Sequence, residues 1–387
     1  MVHIDSKSFR AIRTMLGNRQ VSFRYRALMV AFLLVGHGPF ALVTAIAQWI
    51  DDRIYRRWKE HPHKAPVFIV ANPRSGTTFL HRLLALDDKQ FVPMQLWHTT
   101  LPAITAQRAV LLLQKLDRAV GSPAGRVIHW IERQFFGGWE GVHNTGLGRT
   151  EEDEALFFMA MATASQGLVY PDNDLFEPLA IFDDLEAERR AAVMAFYEDS
   201  LRRFLYANHE SRTYLCKNVF SSGRIRSLAQ TFPEARFIHI VRHPYEAIPS
   251  FCSMFSMPWK FLQPEIQSDS EQVRAWARIG VAFYRHLHQV TRDWPSDRIV
   301  DVSYDELVED PEGTVRRVCA QIGVPISAEF AERLRAESGT RMNYERKHRY
   351  TMEQFGLTPE WIHEELADIF EVYGFERDPE VWVSAAE

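Results

Sequence analysis

Val67-Phe-Ile-Val-Ala-Asn-Pro-Arg-Ser-Gly-Thr-Thr-Phe-Leu-His81 passes from an unbroken apolar run through Asn72-Pro73 into a hydroxyl-rich turn carrying one arginine. A short apolar run ended by Asn-Pro predicts a buried strand, and the residues after it predict a turn and then a helix. A helix opening there aims backbone N–H groups, here those of Ser75 to Thr78, at an anion. The Thr77 and Thr78 hydroxyls and the Arg74 guanidinium add hydrogen bonds and positive charge. The local chemistry calls for an oxyanion ligand; the plainer alternative is a strand-to-helix turn with N-capping threonines. The loop is not a Walker A loop, which needs a glycine at each end and a Lys followed by Ser/Thr, because the cation here precedes the single Gly76.

A second segment is organised in the same way. Residues 213–218 (Thr-Tyr-Leu-Cys-Lys-Asn) read as a strand, residues 223–232 as a helix, and residues 235–241 (Ala-Arg-Phe-Ile-His-Ile-Val) as a buried strand, which together make one crossover unit. Arg242 then stands at the C-terminal end of a strand, with Ser250 eight positions on. That edge is where ligands of doubly wound sheets bind. A third string, residues 299–311 (Ile-Val-Asp-Val-Ser-Tyr-Asp-Glu-Leu-Val-Glu-Asp-Pro), reads as a strand, an acidic turn and a Pro-led helix that Gly323 stops.

Pro73-Arg-Ser-Gly-Thr-Thr78 resembles the 5′-phosphosulfate-binding loop of sulfotransferases, which use 3′-phosphoadenosine-5′-phosphosulfate (PAPS) and hold it without a metal. Cytosolic members usually have Lys at the Arg74 position, whereas tyrosylprotein sulfotransferases have Arg. The same superfamily has an Arg at the strand end and a Ser eight residues on, both on the 3′-phosphate. The third string is similar to its C-terminal module, where the strand closes the sheet in a structural role. The resemblance implies a P-loop-like, three-layer α/β domain: a central parallel sheet flanked by helices, plus a helical acceptor-binding insertion. It further implies that Arg74, Ser75, Gly76, Thr77 and Thr78 hold the phosphosulfate and that Arg242 and Ser250 hold the 3′-phosphate. A late basic segment folds over that phosphate in cytosolic members, and residues 344–350, with His348 or Arg349 reaching the nucleotide, would play this part; a solvated charge run is the alternative.

Sulfuryl transfer needs cations around the developing charge, an in-line geometry and a base for the acceptor hydroxyl. Arg74 is one cation. Lys217, in Cys-Lys-Asn at a strand end, is similar to the Lys that contacts the sulfuryl group in tyrosylprotein sulfotransferases, which implies that it is the second; a surface lysine at a strand end is the alternative. For the base, His98 in Gln95-Leu-Trp-His-Thr-Thr100, after an expected strand at residues 91–94, stands beside a competitor, Glu151 or Glu152 in Arg149-Thr-Glu-Glu-Asp-Glu154. His143 is a further possibility, in the five-glycine stretch 136–148, which reads as a mobile loop over an apolar acceptor. Residues 101–212 read as the helical insertion, with amphipathic runs at 109–120 and 187–205. Its aromatics, among them Trp130, Phe157 and Phe158, are expected mostly to form its core.

The 387 residues, 46% hydrophobic and 25% charged, suit one large core with insertions, and a net charge of −5 argues against nucleic-acid binding. Three scattered cysteines make neither a disulfide framework nor a zinc site, and Cys216 and Cys319 read as small core residues. Residues 1–60 differ from the rest (61–387, the catalytic domain). After Arg10, Arg13, Arg19, Arg24 and Arg26, residues 27–50 carry no charge, about the length of a membrane span. Gly36-His37-Gly38-Pro39 divides this stretch into two short apolar helices. They would pack on the core, lie in a membrane interface or form part of a dimer surface.

The reading as a whole is a cytoplasmic PAPS-dependent sulfotransferase without a metal, peripheral on the inner membrane face if the N-terminal helices reach it. Its acceptor would be a lipid-like or sterol-like alcohol, with a carbohydrate or phenol next. An ATP-dependent small-molecule phosphotransferase would need a P-loop Lys and Mg²⁺ ligands. A nucleotide-binding scaffold would have no need of Arg74, Lys217, Arg242 and Ser250 together.

Overall fold

Among the described residues five strands carry the sheet chemistry: β1 (Val67–Ala71), β2 (Phe91–Val92), β3 (Thr213–Lys217), β4 (Arg236–Val241) and β5 (Ile299–Ser303). The computed structural model describes residues 1–17, 22–62, 64–136, 150, 152–208, 211–341 and 351–378. Within them the protein is mostly helical and forms two compact units, one of Met1–Pro66, Lys89–Ala162 and Glu186–Cys216, the other of Val67–Asp88, Thr163–Leu185 and Lys217–Glu387.

The second unit holds a parallel ladder in which β4 pairs with both β1 and β5, Ile69 facing Ile238 and Ile238 facing Val300. Every residue of β1 is buried, the signature of a parallel strand covered on both faces. Because parallel pairing demands long crossovers, each strand ends at the same edge, and the turns after β1 and β4 emerge together. The third string contributes β5 and the helix Pro311–Gln321, which Gly323 (φ 74°) terminates as expected. In the first unit β2 and β3 pair in parallel, Phe91 opposite Thr213. The expected strand at 91–94 keeps only its first two residues. Similarly, the expected helix at 223–232 is a 3-10 turn, Val219–Arg224, running into a helix at Ile225–Thr231.

One expectation is overturned. Instead of two short apolar helices, Phe23–Ile54 is one helical run of 32 residues, long and apolar enough to cross a membrane by length and composition. A proline inside a helix lacks the N–H and drives its ring at the carbonyl four residues back. Here residues Phe32–His37 are π-helical, and the Gly38 N–H reaches Leu33 O, five positions back, so the backbone widens just before Pro39. A Cβ on Gly38 would lie 2.7 Å from that same carbonyl oxygen, so glycine makes the wide turn possible.

The insertion aromatics divide. Phe157 is buried against Tyr197, with ring centroids 4.9 Å apart, but Trp130 is exposed, and so is most of the helix Ile104–Ala119, which overlaps the amphipathic run expected at 109–120. Burial pushes the three thiols up, Cys319 to about 12, which leaves them protonated core side chains.

Candidate active site

The loop after β1 is built from left-handed backbone. Arg74 (φ 69°) and Gly76 (φ 82°) both lie in that region, and Gly76 N-caps the helix Thr77–Leu84. Glycine is required at 76 on two grounds: the φ itself, and the Tyr304 ring, whose Cδ2 would be 3.1 Å from an added Cβ. This kinked entrance leaves the first N–H groups of the helix, those of Thr77 and Thr78, without intrahelical acceptors, while Phe79 and Leu80 already bond back to Gly76 O. The Ser75 side chain is fully buried, and among the described residues its Oγ has no hydrogen-bond partner. A buried hydroxyl without a partner costs about 1–3 kcal/mol, which a ligand oxygen placed there would recover.

Three of the expected cofactor residues converge on this loop within the second unit. Arg74 Nε donates to Ser250 Oγ at 3.1 Å, and its Nη1 lies 3.8 Å from Met254 Sδ. Arg242, immediately after β4, donates through Nη1 to the Arg74 carbonyl. Its own carbonyl accepts the Tyr284 hydroxyl at 2.5 Å. Ser250 sits in the helix Pro244–Ser256, which packs on Glu271–Thr291. Lys217 ends β3, almost wholly buried, where the Asn218 N–H bonds Ile69 O at 3.2 Å beside β1. A buried lysine at the ligand edge of a sheet is unusual unless its charge has a task.

Two residues of the cluster escaped the sequence reading. Glu246 accepts Arg242 Nε at 2.6 Å, an i,i+4 spacing across a helix start that was legible in principle. Tyr304, in the string expected to be purely structural, lies under the Arg242 guanidinium at 4.2 Å as well as against Gly76. Only the fold brings that string to the loop.

The base candidates lie in the first unit. Gln95 forms an antiparallel bridge with Thr150, which sets the His98 and Glu152 segments side by side. His98 is 7% exposed, with its ring 3.8 Å from that of Trp97 and 4.8 Å from that of Phe204. Its Nδ1 accepts the Gln95 N–H at 3.0 Å, closing a capping box on the helix Leu96–Thr100. Burial lowers its pKa to about 4. With Nδ1 accepting, the neutral ring carries its proton on Nε2, so in this geometry it is a cap and a donor. Glu152 is half-buried. Glu151, His143, His348 and Arg349 lie outside the described residues, as does most of the glycine-rich stretch.

The cradle therefore offers helix N–H groups, an orphaned hydroxyl and two arginines, a donor set that fits a multiply charged oxyanion. Known proteins point the same way. The chain is 26% identical over 325 residues, 81% of its length and 76% of the relative's, to the omega-hydroxy-beta-dihydromenaquinone-9 sulfotransferase Stf3 of Mycobacterium tuberculosis, and equally to that of Mycobacterium bovis. Its fold matches the crystal structure of sulfotransferase STF9 from Mycobacterium avium with a TM-score of 0.71 at 17% identity, covering 97% of this chain and 98% of that one. It also matches STF1 from Mycobacterium tuberculosis with a TM-score of 0.63 at 19% identity, covering 95% and 99%. Residues 66–328 match the sequence model of the sulfotransferase family, and that stretch holds β1, its loop, Lys217, Arg242 and Ser250, so the chain belongs to the sulfotransferase family, enzymes that transfer sulfuryl groups.

Proposed function

We propose that the enzyme moves a sulfuryl group from PAPS to the hydroxyl of an apolar, lipid-like acceptor. The observation that carries the cofactor assignment is the cluster of Arg74, Arg242 and Ser250 on the loop whose Ser75 hydroxyl is buried without a partner among the described residues. PAPS would bring the activated sulfuryl group, and the chain's own residues do the rest. Ser75 to Thr78 bind its 5′ end, Arg242 and Ser250 its 3′-phosphate, and Arg74 and Lys217 hold positive charge where the transferred and leaving oxygens gain negative charge.

The acceptor proton would go to one of the two described base residues, His98 or Glu152. Of the two, Glu152 is the better base, because the accepting nitrogen of His98 is already occupied by the Gln95 N–H. The lipid-like acceptor is supported by the relative named for a hydroxylated dihydromenaquinone.

Calorimetry with 3′-phosphoadenosine-5′-phosphate and adenosine 5′-phosphate tests the cofactor. Losing a charged, bidentate phosphate contact should weaken binding by about 2–4 kcal/mol. Equal affinities would remove PAPS from the reading. Labelled PAPS offered with pooled lipid, sterol, phenol and sugar alcohols tests the acceptor, and label transferred only to a sugar or a phenol would replace the lipid.

A further inference from the structure

We propose that the helical hairpin formed by Ile104–Ala119 and Pro123–Phe136, with the outer side of the Phe23–Ile54 helix, is a docking surface for an anionic lipid bilayer. The proposal goes beyond the acceptor reading and stands whatever alcohol is sulfated.

The hairpin projects into solvent: none of residues 108–130 is buried. It is nevertheless well built. At its turn Gly121 (φ 84°) and Ser122 (φ 59°) are left-handed, and the Asp117 carboxylate accepts the Ala124 and Gly125 N–H groups at 2.8 and 2.9 Å. At its root Asp51 accepts the Ile104 N–H at 2.7 Å, the Thr105 N–H at 2.8 Å and the Thr105 hydroxyl at 2.6 Å, which ties the hairpin to the Gly38–Ile54 helix.

Much of what this prong presents to water is apolar. Val120, at the tip, is 71% exposed and Leu113 63%, with Leu112, Leu116, Val127 and Trp130 also exposed. The helix it is rooted on adds Leu34 and Val35, 70% and 78% exposed. A helix that ends in solvent normally turns polar on its outer face, and contiguous exposed apolar surface marks an interaction site.

Charge selects the occupant. Residues 104–136 hold five basic and two acidic side chains, and residues 1–60 ten and four, in a chain whose net charge is −5. Basic groups beside exposed leucines and an interfacial tryptophan match an anionic bilayer surface. A second copy of the chain would instead bring like charges together. The Phe23–Ile54 helix lies along the surface of the first unit, because its inner side carries buried Thr44, Gln48 and Asp51, and Gln48 Nε2 donates to Pro102 O at 2.9 Å. Only its outer side is left for lipid.

The full chain, sedimented with phosphatidylcholine vesicles with and without phosphatidylglycerol, tests the proposal without any activity measurement. Wild type should bind the anionic vesicles at least about tenfold more tightly than the neutral ones. Joint replacement Leu112→Ser, Leu113→Ser and Leu116→Ser should weaken binding about tenfold or more. Lys115→Glu with Arg118→Glu should abolish the preference for anionic lipid. Circular dichroism and affinity for 3′-phosphoadenosine-5′-phosphate should stay at wild-type values in both variants. Wild type that does not sediment with anionic vesicles overturns the proposal, as does a triple-leucine variant that binds them undiminished. A wild-type dimer dissolved by the leucine substitutions, without vesicle binding, overturns it in favour of a second copy. Vesicle binding that persists when nucleotide binding fails would strike only the cofactor reading.

Discussion

His98 has its accepting nitrogen committed to the Gln95 N–H and its ring walled by Trp97 and Phe204. The fold holds this imidazole neutral, with its pKa lowered by burial to about 4. Protonation therefore opposes folding: the contribution to stability is complete above the unfolded value near 6.5 and shrinks as the pH falls toward 4. If His98 were nevertheless the base, the rate would hold through pH 6 and fall only near 4. We expect Glu152→Gln to lower kcat by roughly 10²–10⁴ with nucleotide affinity unchanged. His98→Ala should lower the unfolding midpoint more than kcat. Turnover retained in Glu152→Gln and lost in His98→Ala, each with wild-type nucleotide binding, would return the base to the histidine. Residue chemistry and the family resemblance pointed to both residues, but the sequence held no sign that one of them closes a capping box, since that depends on the backbone N–H of Gln95 meeting Nδ1.

At the scale of elements, the Phe23–Ile54 run shows how a local rule yields to a local repair. Pro39 reads as a break, and in a regular α-helix it would be one. The π-helical turn at Phe32–His37 absorbs it, and Gly38 permits the turn because any Cβ would collide with Leu33 O. Gly38→Val should therefore destabilise the protein by about 1–3 kcal/mol in urea unfolding, as forced overpacking does. Gly36→Ala meets only the end of the Phe32 ring, at 3.4 Å, and should be neutral or slightly stabilising through helix propensity. Equal midpoints for the two variants would show that the helix does not depend on the wide turn. The strands were read more securely, because a buried parallel strand needs a continuous apolar run and advertises it, as in β1 and β4. The short β2 fell below expectation, with only Phe91 and Val92 in the ladder.

At the scale of the whole molecule, charge neutralisation in the second unit is proposed to come from side chains. Arg74 and Lys217 are proposed to do what Mg²⁺ does in phosphotransferases, so sulfuryl transfer should survive excess chelator. Loss of activity restored by Mg²⁺ would point to the phosphotransferase class instead. The cradle loop, the strand-end arginine and the serine eight positions on were all legible in the sequence, because each rests on interactions within a few residues or on a spacing within one strand–helix unit. The placement of Tyr304 beneath Arg242 and against Gly76 was decided by the tertiary structure, since about 60 and 230 residues of chain separate them and only parallel pairing of β5 with β4 returns Tyr304 to that edge. The same holds for the insertion. Periodicity identified its helices, but whether an apolar stripe meets a core or meets solvent depends on what else packs there, and along residues 108–130 nothing in the described chain does so closely enough to bury it.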